Sequence, residues 1–234
     1  MSTKSSQGNP SQGNSSQGSH GPVNRRTTWV VIGVVVLILA ALLVALFTGS
    51  SSSDENGGDT TAVEVVDQNQ PVAVTGDVLS ALEDPNADPA VGMMAPRLEG
   101  RSFDGTPIVI EPGDGQPYMV VFLAHWCPHC NAEIPRLVTW FESGRVPANL
   151  RVIGVSTAVA ADRPNYPPSE WIVATDWPWE IMADSADVTA AAAYGVSSFP
   201  FFAIVGADGQ VKVRQSGELE PEVLEAIVAA ALAG

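Results

Sequence analysis

The only two cysteines in the 234-residue chain, Cys127 and Cys130, are separated by Pro128 and His129. They follow an apolar run at 118–124 that predicts a buried strand, and they open an amphipathic stretch that predicts a helix. Two thiols one helical turn apart can close a disulfide by local motion, and the unpaired amides at a helix N-terminus stabilise a thiolate. The spacing therefore indicates a dithiol centre for thiol-disulfide exchange.

Each position around this pair has an expected role. Cys127 is placed at the N-cap, where its thiolate would accept hydrogen bonds from the second or third helical amide, and Pro128 at the first helical position, where no needed donor is lost. Cys127 is expected to be the attacking sulfur, and Cys130 to resolve the mixed disulfide. A protonated His129 would favour thiolate over thiol, which stabilises the reduced form and makes a stronger oxidant.

Two other uses of paired cysteines are less well supported. A structural disulfide stabilises mainly by closing a long loop, and the loop here spans two residues. A metal site would combine the cysteines with His125 and His129, but four ligands within six residues do not readily surround one tetrahedral ion, and the remaining histidine is the distant His20. We therefore favour redox exchange and expect neither a metal nor a cofactor.

A segment of 19 residues at 29–47 carries no charge and is long enough to cross a bilayer as a helix. Fourteen of its residues are Leu, Ile, Val or Phe, which favours insertion by about 4 to 8 kcal/mol. Arg25 and Arg26 precede the segment, whereas Asp54 and Glu55 follow it, so the positive-inside rule predicts a cytoplasmic N-terminus. A cleaved signal peptide is the alternative, although its apolar core typically has about 7 to 15 residues.

The remaining organisation follows from composition. Residues 1–28, with Ser-Gln-Gly repeats, predict a disordered cytoplasmic tail, and 48–89 a linker and a poorly defined segment interrupted by prolines. Residues 90–234 are expected to form one extracytoplasmic domain. All 26 Asp and Glu residues follow the apolar segment, with 8 of the 11 Lys and Arg, and this acidic balance argues against nucleic acid as a partner.

Strand and helix patterns alternate within the predicted domain. Strands are predicted at 107–110, 119–124, 152–156, 179–183, 201–205 and 210–213, and helices at 127–142, 169–174, 186–194 and 220–232. This order predicts an α/β fold with a mixed central sheet flanked by helices.

The segment 124–135, Ala-His-Trp-Cys-Pro-His-Cys-Asn-Ala-Glu-Ile-Pro, resembles the active-site segment of the TlpA/ResA-like branch of the thioredoxin superfamily. In that branch a Trp precedes Cys-x-x-Cys and a Glu-x-Pro follows. The likeness covers about residues 90–234 and includes Phe199-Pro200 before a strand. It implies a thioredoxin-like fold and a membrane-anchored thiol-disulfide oxidoreductase.

The resemblance also assigns expected roles to neighbouring residues. Trp126 would precede the attacking cysteine, and the Phe199-Pro200 peptide would be cis and would face the disulfide. Glu133, one turn beyond the second cysteine, would exchange protons with the thiols, with an ordinary first-turn helix acid as the alternative. Pro135 would kink the helix because it removes an intrahelical hydrogen bond.

Departures from the pattern leave the direction of electron flow open. The dipeptide Pro128-His129 is that of DsbA, an oxidant, whereas many TlpA-like proteins are reductases. Val121 stands where thioredoxin carries a buried acid, and Phe199 is bulkier than the usual residue before the cis proline. The sequence favours the reducing direction only slightly.

Other functional classes fit the same residues less well. A peroxiredoxin would carry Pro and Thr where this chain has Val120 and Ala124. A copper-delivery protein of the Sco type and a redox-silent binding module remain the alternatives. The expected partners are thiols or disulfides of exported proteins and an unidentified redox partner, with substrate identity and oligomeric state left open.

Overall fold

The computed structural model describes residues 66–233. The predicted tail, the predicted membrane segment at 29–47 and the linker as far as residue 65 lie outside these residues. Within the described part of the chain, no helix is long and apolar enough to span a bilayer.

Within residues 66–233, eight strands form one mixed sheet. They are β1 (Ala73–Thr75), β2 (Arg97–Arg101), β3 (Pro107–Ile110), β4 (Tyr118–Leu123), β5 (Arg151–Ser156), β6 (Glu180–Ala183), β7 (Phe201–Val205) and β8 (Val211–Ser216). Their spatial order is β1-β2-β6-β5-β4-β7-β8, and β3 pairs with β2 outside this path. The central strands β4, β5 and β6 are parallel, whereas β7 runs antiparallel to β4.

Four α-helices within the described residues cover the sheet. They are α1 (Pro128–Glu142), α2 (Pro168–Ala174), α3 (Thr189–Ala193) and α4 (Pro221–Ala233). Together with the sheet they make the predicted α/β fold, of the thioredoxin-like kind. Each predicted strand and helix is present, and no end differs from its predicted position by more than three residues.

The central strand β4 explains why the core has two halves. All six of its residues are buried, because helices or loops cover both sides of the sheet. Successive side chains point to opposite faces, so Val121 and Leu123 pack in the half that contains α1 and α4, whereas Val120 and Phe122 pack in the half that contains α3. The apolar run predicted as one strand thus anchors both halves.

Residues 66–89, which the sequence predicted to be part of a linker, pack onto the domain. β1 adds a strand beside β2, and Leu79 and Leu82 are buried in the core. Their amides donate to the carbonyls of Ala193 (2.9 Å) and Gly195 (3.0 Å). Gly195 has a positive φ of 66°, and a Cβ there would lie 2.1 Å from the Ser80 carbonyl oxygen. The folded domain therefore begins before residue 90, the start predicted from the sequence.

The sequence missed these elements for a physical reason. Leu79 and Leu82 are held by α3 and the loop behind it, more than 100 positions away, and two isolated leucines show no periodicity. The strand β2 was also missed, because only Leu98 among its five residues is buried. Two Arg, one Glu and one Gly make up the rest of that strand, a composition depleted in natural strands.

Candidate active site

The cysteine pair lies at the junction of the central strand and α1, as predicted. Cys127 is the N-cap residue with an extended backbone (φ −76°, ψ 121°), and Pro128 opens the helix. The Cys127 amide donates to the Ala124 carbonyl at 2.9 Å, which closes the turn between strand and helix. The structure does not show the predicted capping bond from the sulfur to the helix amides. The Cys127 thiol instead donates to the Phe199 carbonyl, with Sγ and O 3.6 Å apart.

The two sulfurs have different surroundings. Both cysteines are free thiols; Cys127 retains 6% of its surface exposed, whereas Cys130 is completely buried. Burial raises the pKa of the Cys130 thiol well above its ordinary value, and the Ala124 amide, which donates to its Sγ at 3.5 Å, opposes the shift. The nearby Cys127 and the negative charge of Glu133 raise that pKa further. Cys127 is therefore the sulfur that an incoming group can reach.

Phe199 and Pro200 face the dithiol from the loop that precedes β7. The Phe199-Pro200 peptide is cis, as the family resemblance implied. The Phe199 ring meets the Trp126 ring edge to face, with centroids 6.1 Å apart and planes at 87°. Half-buried aromatic rings thus flank Cys127, and the Phe199 backbone carbonyl lies against its sulfur.

Glu133 is a completely buried carboxyl one turn beyond Cys130. Its Oε2 accepts hydrogen bonds from the Leu219 amide at 3.0 Å and from Arg136 at 3.3 Å, while Oε1 has no partner among the described residues. Burial raises the pKa of Glu133, although the Leu219 amide and the Arg136 guanidinium oppose the shift. A carboxyl with one unpartnered oxygen and a raised pKa is suited to taking up or releasing a proton.

His129 points away from the helix axis toward the loop between β8 and α4. Its Nδ1 lies 2.7 Å from Glu218 Oε1, and Arg136 binds the other Glu218 oxygen at 2.9 Å. The His129 hydrogen bond and the Arg136 charge hold the pKa of Glu218 below its ordinary value. The imidazole that was predicted to stabilise a thiolate therefore has a carboxylate as its direct partner.

The loop between β5 and α2, residues 157–167, lies against the site, and the sequence did not predict this. His125 Nδ1 donates to the Pro164 carbonyl at 2.7 Å, and its Nε2 accepts the Ala160 amide at 3.2 Å. These two bonds require the neutral tautomer with its proton on Nδ1. Burial lowers the pKa of His125, which is consistent with that form.

Asn131 ties the same loop to the first turn of α1. Its side-chain amide donates to the Cys127 carbonyl at 2.8 Å, and its carbonyl accepts from the Trp171 indole at 2.9 Å and from Asn165 at 3.2 Å. The only sequence signal for this arrangement was the group of prolines after β5, which marks a loop without showing where it packs.

Neither histidine of the motif is arranged with the cysteines as a metal site. His125 uses both ring nitrogens on backbone groups of the loop, and His129 faces Glu218. No group of three or more His, Cys, Asp and Glu side chains that could hold a metal ion occurs within residues 66–233.

A thioredoxin-like sheet with a dithiol at the start of α1 and a cis proline opposite defines the class: the protein is an enzyme, a thiol-disulfide oxidoreductase of the thioredoxin superfamily. The chain belongs to the AhpC/TSA family, whose model matches residues 91–214, just over half of the chain.

Solved structures share the fold. A thiol:disulfide interchange protein of the thioredoxin family from Chlorobium tepidum TLS is 24% identical with a TM-score of 0.50, and the match covers 62% of this chain and 99% of that one. A putative thiol:disulfide interchange protein DsbE from Chlorobium tepidum is 19% identical with a TM-score of 0.50, covering 60% and 96%. At these identities the likeness establishes the shared fold.

Proposed function

We propose that the protein is a membrane-anchored, extracytoplasmic enzyme of the TlpA/ResA-like type that exchanges disulfides with exported proteins through Cys127 and Cys130. The observation that carries this proposal is the difference between the two sulfurs. Cys127 reaches the surface between Trp126 and Phe199, whereas Cys130 is sealed beneath it with a raised pKa. Cys127 is thus placed to attack a substrate disulfide, and Cys130 to resolve the mixed disulfide.

In the reducing direction, the Cys127 thiolate attacks one sulfur of a substrate disulfide. A mixed disulfide forms, and the other substrate sulfur leaves as a thiolate that takes up a proton. Cys130 then loses its proton and attacks the Cys127 sulfur, which releases the second substrate thiol and leaves a Cys127–Cys130 disulfide. Two electrons pass to the substrate, and the redox partner restores the dithiol.

Glu133 is proposed as the proton acceptor for the second step. The buried Cys130 thiol cannot ionise readily, because burial raises its pKa. Glu133 lies one turn along the same helix, is completely buried, and has one oxygen without a hydrogen-bond partner in the described part of the chain. A base that is excluded from water and close to a resistant thiol can lower the barrier to its deprotonation.

The reducing direction is favoured by the groups around His129. An unpaired imidazolium would stabilise the thiolate and make the site an oxidant. Here Glu218 bonds to His129, and the buried Glu133 lies one turn further along α1, so negative groups offset the imidazole charge. We therefore propose a reductase, in spite of the Pro128-His129 dipeptide.

The proposed location rests on the sequence. The 19 uncharged residues at 29–47 have Arg25 and Arg26 before them and all the acidic residues after them. Carbonate extraction of membranes is expected to leave the protein in the pellet. A membrane-impermeant thiol reagent applied to intact cells is expected to label Cys127 under reducing conditions; labelling only after lysis would exclude the proposed orientation.

Covalent trapping tests the exchange chemistry. Cys130→Ala is expected to accumulate mixed disulfides with exported proteins in cells, seen as reducible adducts on non-reducing gels. The matched control Cys127→Ala/Cys130→Ala keeps the fold of the single variant without an attacking sulfur and is expected to show no adduct. Equal adduct levels in the two variants, or none in either, would rule out the proposed mechanism.

A peroxidase is the alternative that shares this fold. The positions that would carry the peroxidatic Pro and Thr are occupied by Val120 and Ala124, and both residues are completely buried. Neither side chain has a hydroxyl to offer a peroxide. The residues at these two positions therefore do not favour that second function.

A further inference from the structure

Arg163 lies over the indole of Trp126, directly beside the candidate active site. Its guanidinium carbon is 4.7 Å from the ring centroid, within the range of a cation–π contact. The side chain belongs to the 157–167 loop and is exposed at the surface. Trp126 precedes Cys127 and contacts Phe199, so the cation, the two rings and the reactive sulfur form one continuous surface.

The backbone on either side of Arg163 is fixed by hydrogen bonds. His125 binds the Ala160 amide at 3.2 Å and the Pro164 carbonyl at 2.7 Å, and the Arg163 amide closes the turn on the Ala160 carbonyl at 3.1 Å. Trp126 adds a bond from its indole N–H to the Ala158 carbonyl at 2.8 Å. The backbone that carries Arg163 is therefore ordered before any ligand arrives, and the contact with Trp126 places the guanidinium beside the site, which reduces the entropy lost on binding.

Arg163 differs from the other cations of the domain in its partners. Residues 66–233 contain eight Lys and Arg side chains. Six of them have a carboxylate partner within that range, and a seventh, Arg101, binds the Gly105 carbonyl at 2.8 Å. Arg163 has neither kind of partner among the described residues. Its donors remain available although 22 Asp and Glu side chains occupy the same part of the chain.

We propose that Arg163 is a specificity-determining residue that binds a carboxylate of the substrate next to the substrate's reacting cysteine. The proposal rests on the exchange function proposed above and adds the substrate class: cysteine-containing segments with an Asp, a Glu or a chain-terminal carboxylate beside the sulfur. A stacked guanidinium presents its N–H edge to solvent, and that edge matches the two oxygens of a carboxylate.

The surrounding charge gives this single cation its selectivity. The acidic domain repels anions over most of its surface, so a carboxylate gains attraction only where Arg163 can reach it. Bound there, it places the neighbouring sulfur close to Cys127 Sγ. The carboxylate does not take part in the chemistry; it orients the disulfide for attack.

Kinetics with two matched peptides test the proposal. The purified, reduced full-length protein is mixed with a homodimeric peptide disulfide that has Glu next to Cys, or with the same peptide carrying Gln at that position. A third substrate, the uncharged 2-hydroxyethyl disulfide, reports exchange that needs no carboxylate. The wild type is expected to prefer the Glu peptide by about fivefold at low salt, the size of one exposed ion pair. That preference is expected to shrink at high salt.

Arg163→Gln is expected to remove the preference and leave the rate with 2-hydroxyethyl disulfide unchanged. The matched control is Arg145→Gln, which removes one exposed positive charge beyond the far end of α1 and is expected to keep the preference. If the wild type reduces 2-hydroxyethyl disulfide but treats the two peptides alike, the carboxylate proposal is overturned and the exchange function stands. If none of the three disulfides is reduced, the exchange function itself fails.

A purely structural role for Arg163 predicts another pattern. If the residue only packs the loop onto Trp126, Arg163→Gln lowers the rates with all three disulfides by the same factor. That result also overturns the proposal. Arg163→Lys keeps the charge but loses the planar fork, and it is expected to retain only part of the preference.

Discussion

Two buried charged groups, Arg214 and Glu133, lie in different halves of the domain and are satisfied to very different degrees. Arg214 is 1% exposed and donates to Asp88 and to the carbonyls of Ser80 and Tyr194. Glu133 is equally buried but leaves Oε1 without a partner among the described residues. A buried charge without partners lowers the stability of the fold. Arg214 has its partners and contributes to the stability of the domain, whereas Glu133, with one oxygen unbonded, lies beside the reactive thiols.

The pKa values of the two carboxyls support this distinction. Burial acts against ionisation at Asp88, but its hydrogen bonds with Arg214 hold the pKa below its ordinary value. At Glu133 burial prevails, and the pKa is raised although Arg136 and the Leu219 amide are near. One carboxyl is therefore kept ionised to join the 66–89 segment to the sheet, and the other is kept ready to bind a proton.

The largest expected effect is on the stability of the domain and comes from Arg214, the buried charge that has its partners. Arg214→Met leaves the buried Asp88 without its cation and is expected to lower the free energy of unfolding by about 3 to 5 kcal/mol, measured by urea denaturation of the full-length protein. Arg214→Met/Asp88→Leu removes the unpaired charge and is expected to recover part of the loss. A loss below about 1 kcal/mol in the single variant would contradict the assigned role.

Glu133→Gln is expected to act mainly on chemistry. The amide can still accept the Leu219 N–H but cannot take a proton from Cys130, so resolution of the mixed disulfide should slow by about 10²-fold in stopped-flow measurements. Glu142→Gln, an exposed change near the other end of the same helix, is the matched control. A rate equal to that of the wild type would show that Glu133 is not the proton acceptor.

The same variant should change how stability depends on pH. The pKa of Glu133 is higher in the folded protein than in the unfolded chain. Its contribution to the free energy of unfolding is therefore fully present below the unfolded pKa and is lost as pH rises through the folded pKa. The Glu133→Gln variant lacks this loss, so its stability relative to the wild type should increase with pH over that window, by about 1.4 kcal/mol per unit of pKa difference. Urea midpoints across the pH range measure it.

The smallest expected effect concerns the reduction potential. Glu218→Gln removes a negative charge that offsets the charges of His129 and Arg136, so the thiolate form should be favoured. The reduction potential should then rise by about 10 to 20 mV, which corresponds to the energy of one exposed ion pair. Equilibration with glutathione or dithiothreitol buffers measures the change. Glu222→Gln, an exposed acid in the first turn of α4, should leave the potential unaltered. A lower potential in Glu218→Gln would refute the proposed effect of Glu218.

Local pattern was enough for much of the active site. The placement of the thiols could be predicted because a strand, a cap position and a proline at the first helical residue are all encoded within about 15 residues. The cis peptide at Phe199-Pro200 followed from family resemblance. The partner of His129 could not be predicted, because Glu218 lies 89 positions away in a loop whose approach to α1 depends on the packing of β8 and α4.

The domain boundary and the 157–167 loop show the same limit. Leu79 and Leu82 are buried by α3 and Gly195, and the loop is fixed by His125 and Asn131. Hydrogen bonds of this kind join residues that are distant in sequence, and no periodicity marks them in advance. An irregular segment becomes ordered only when the sheet has formed and offers it donors, acceptors and an apolar surface.

The sequence by itself determined the dithiol, its place at a helix N-terminus and the order of strands and helices from β3 onward, because these depend on neighbouring residues and on apolar periodicity. The tertiary structure decided that Cys127 is the more exposed of the two cysteines and that Glu133 has one carboxyl oxygen without a hydrogen bond among the described residues. It also decided that Arg163 lies over Trp126, next to Cys127. Those properties depend on desolvation and on contacts between remote segments, and only the folded chain creates them.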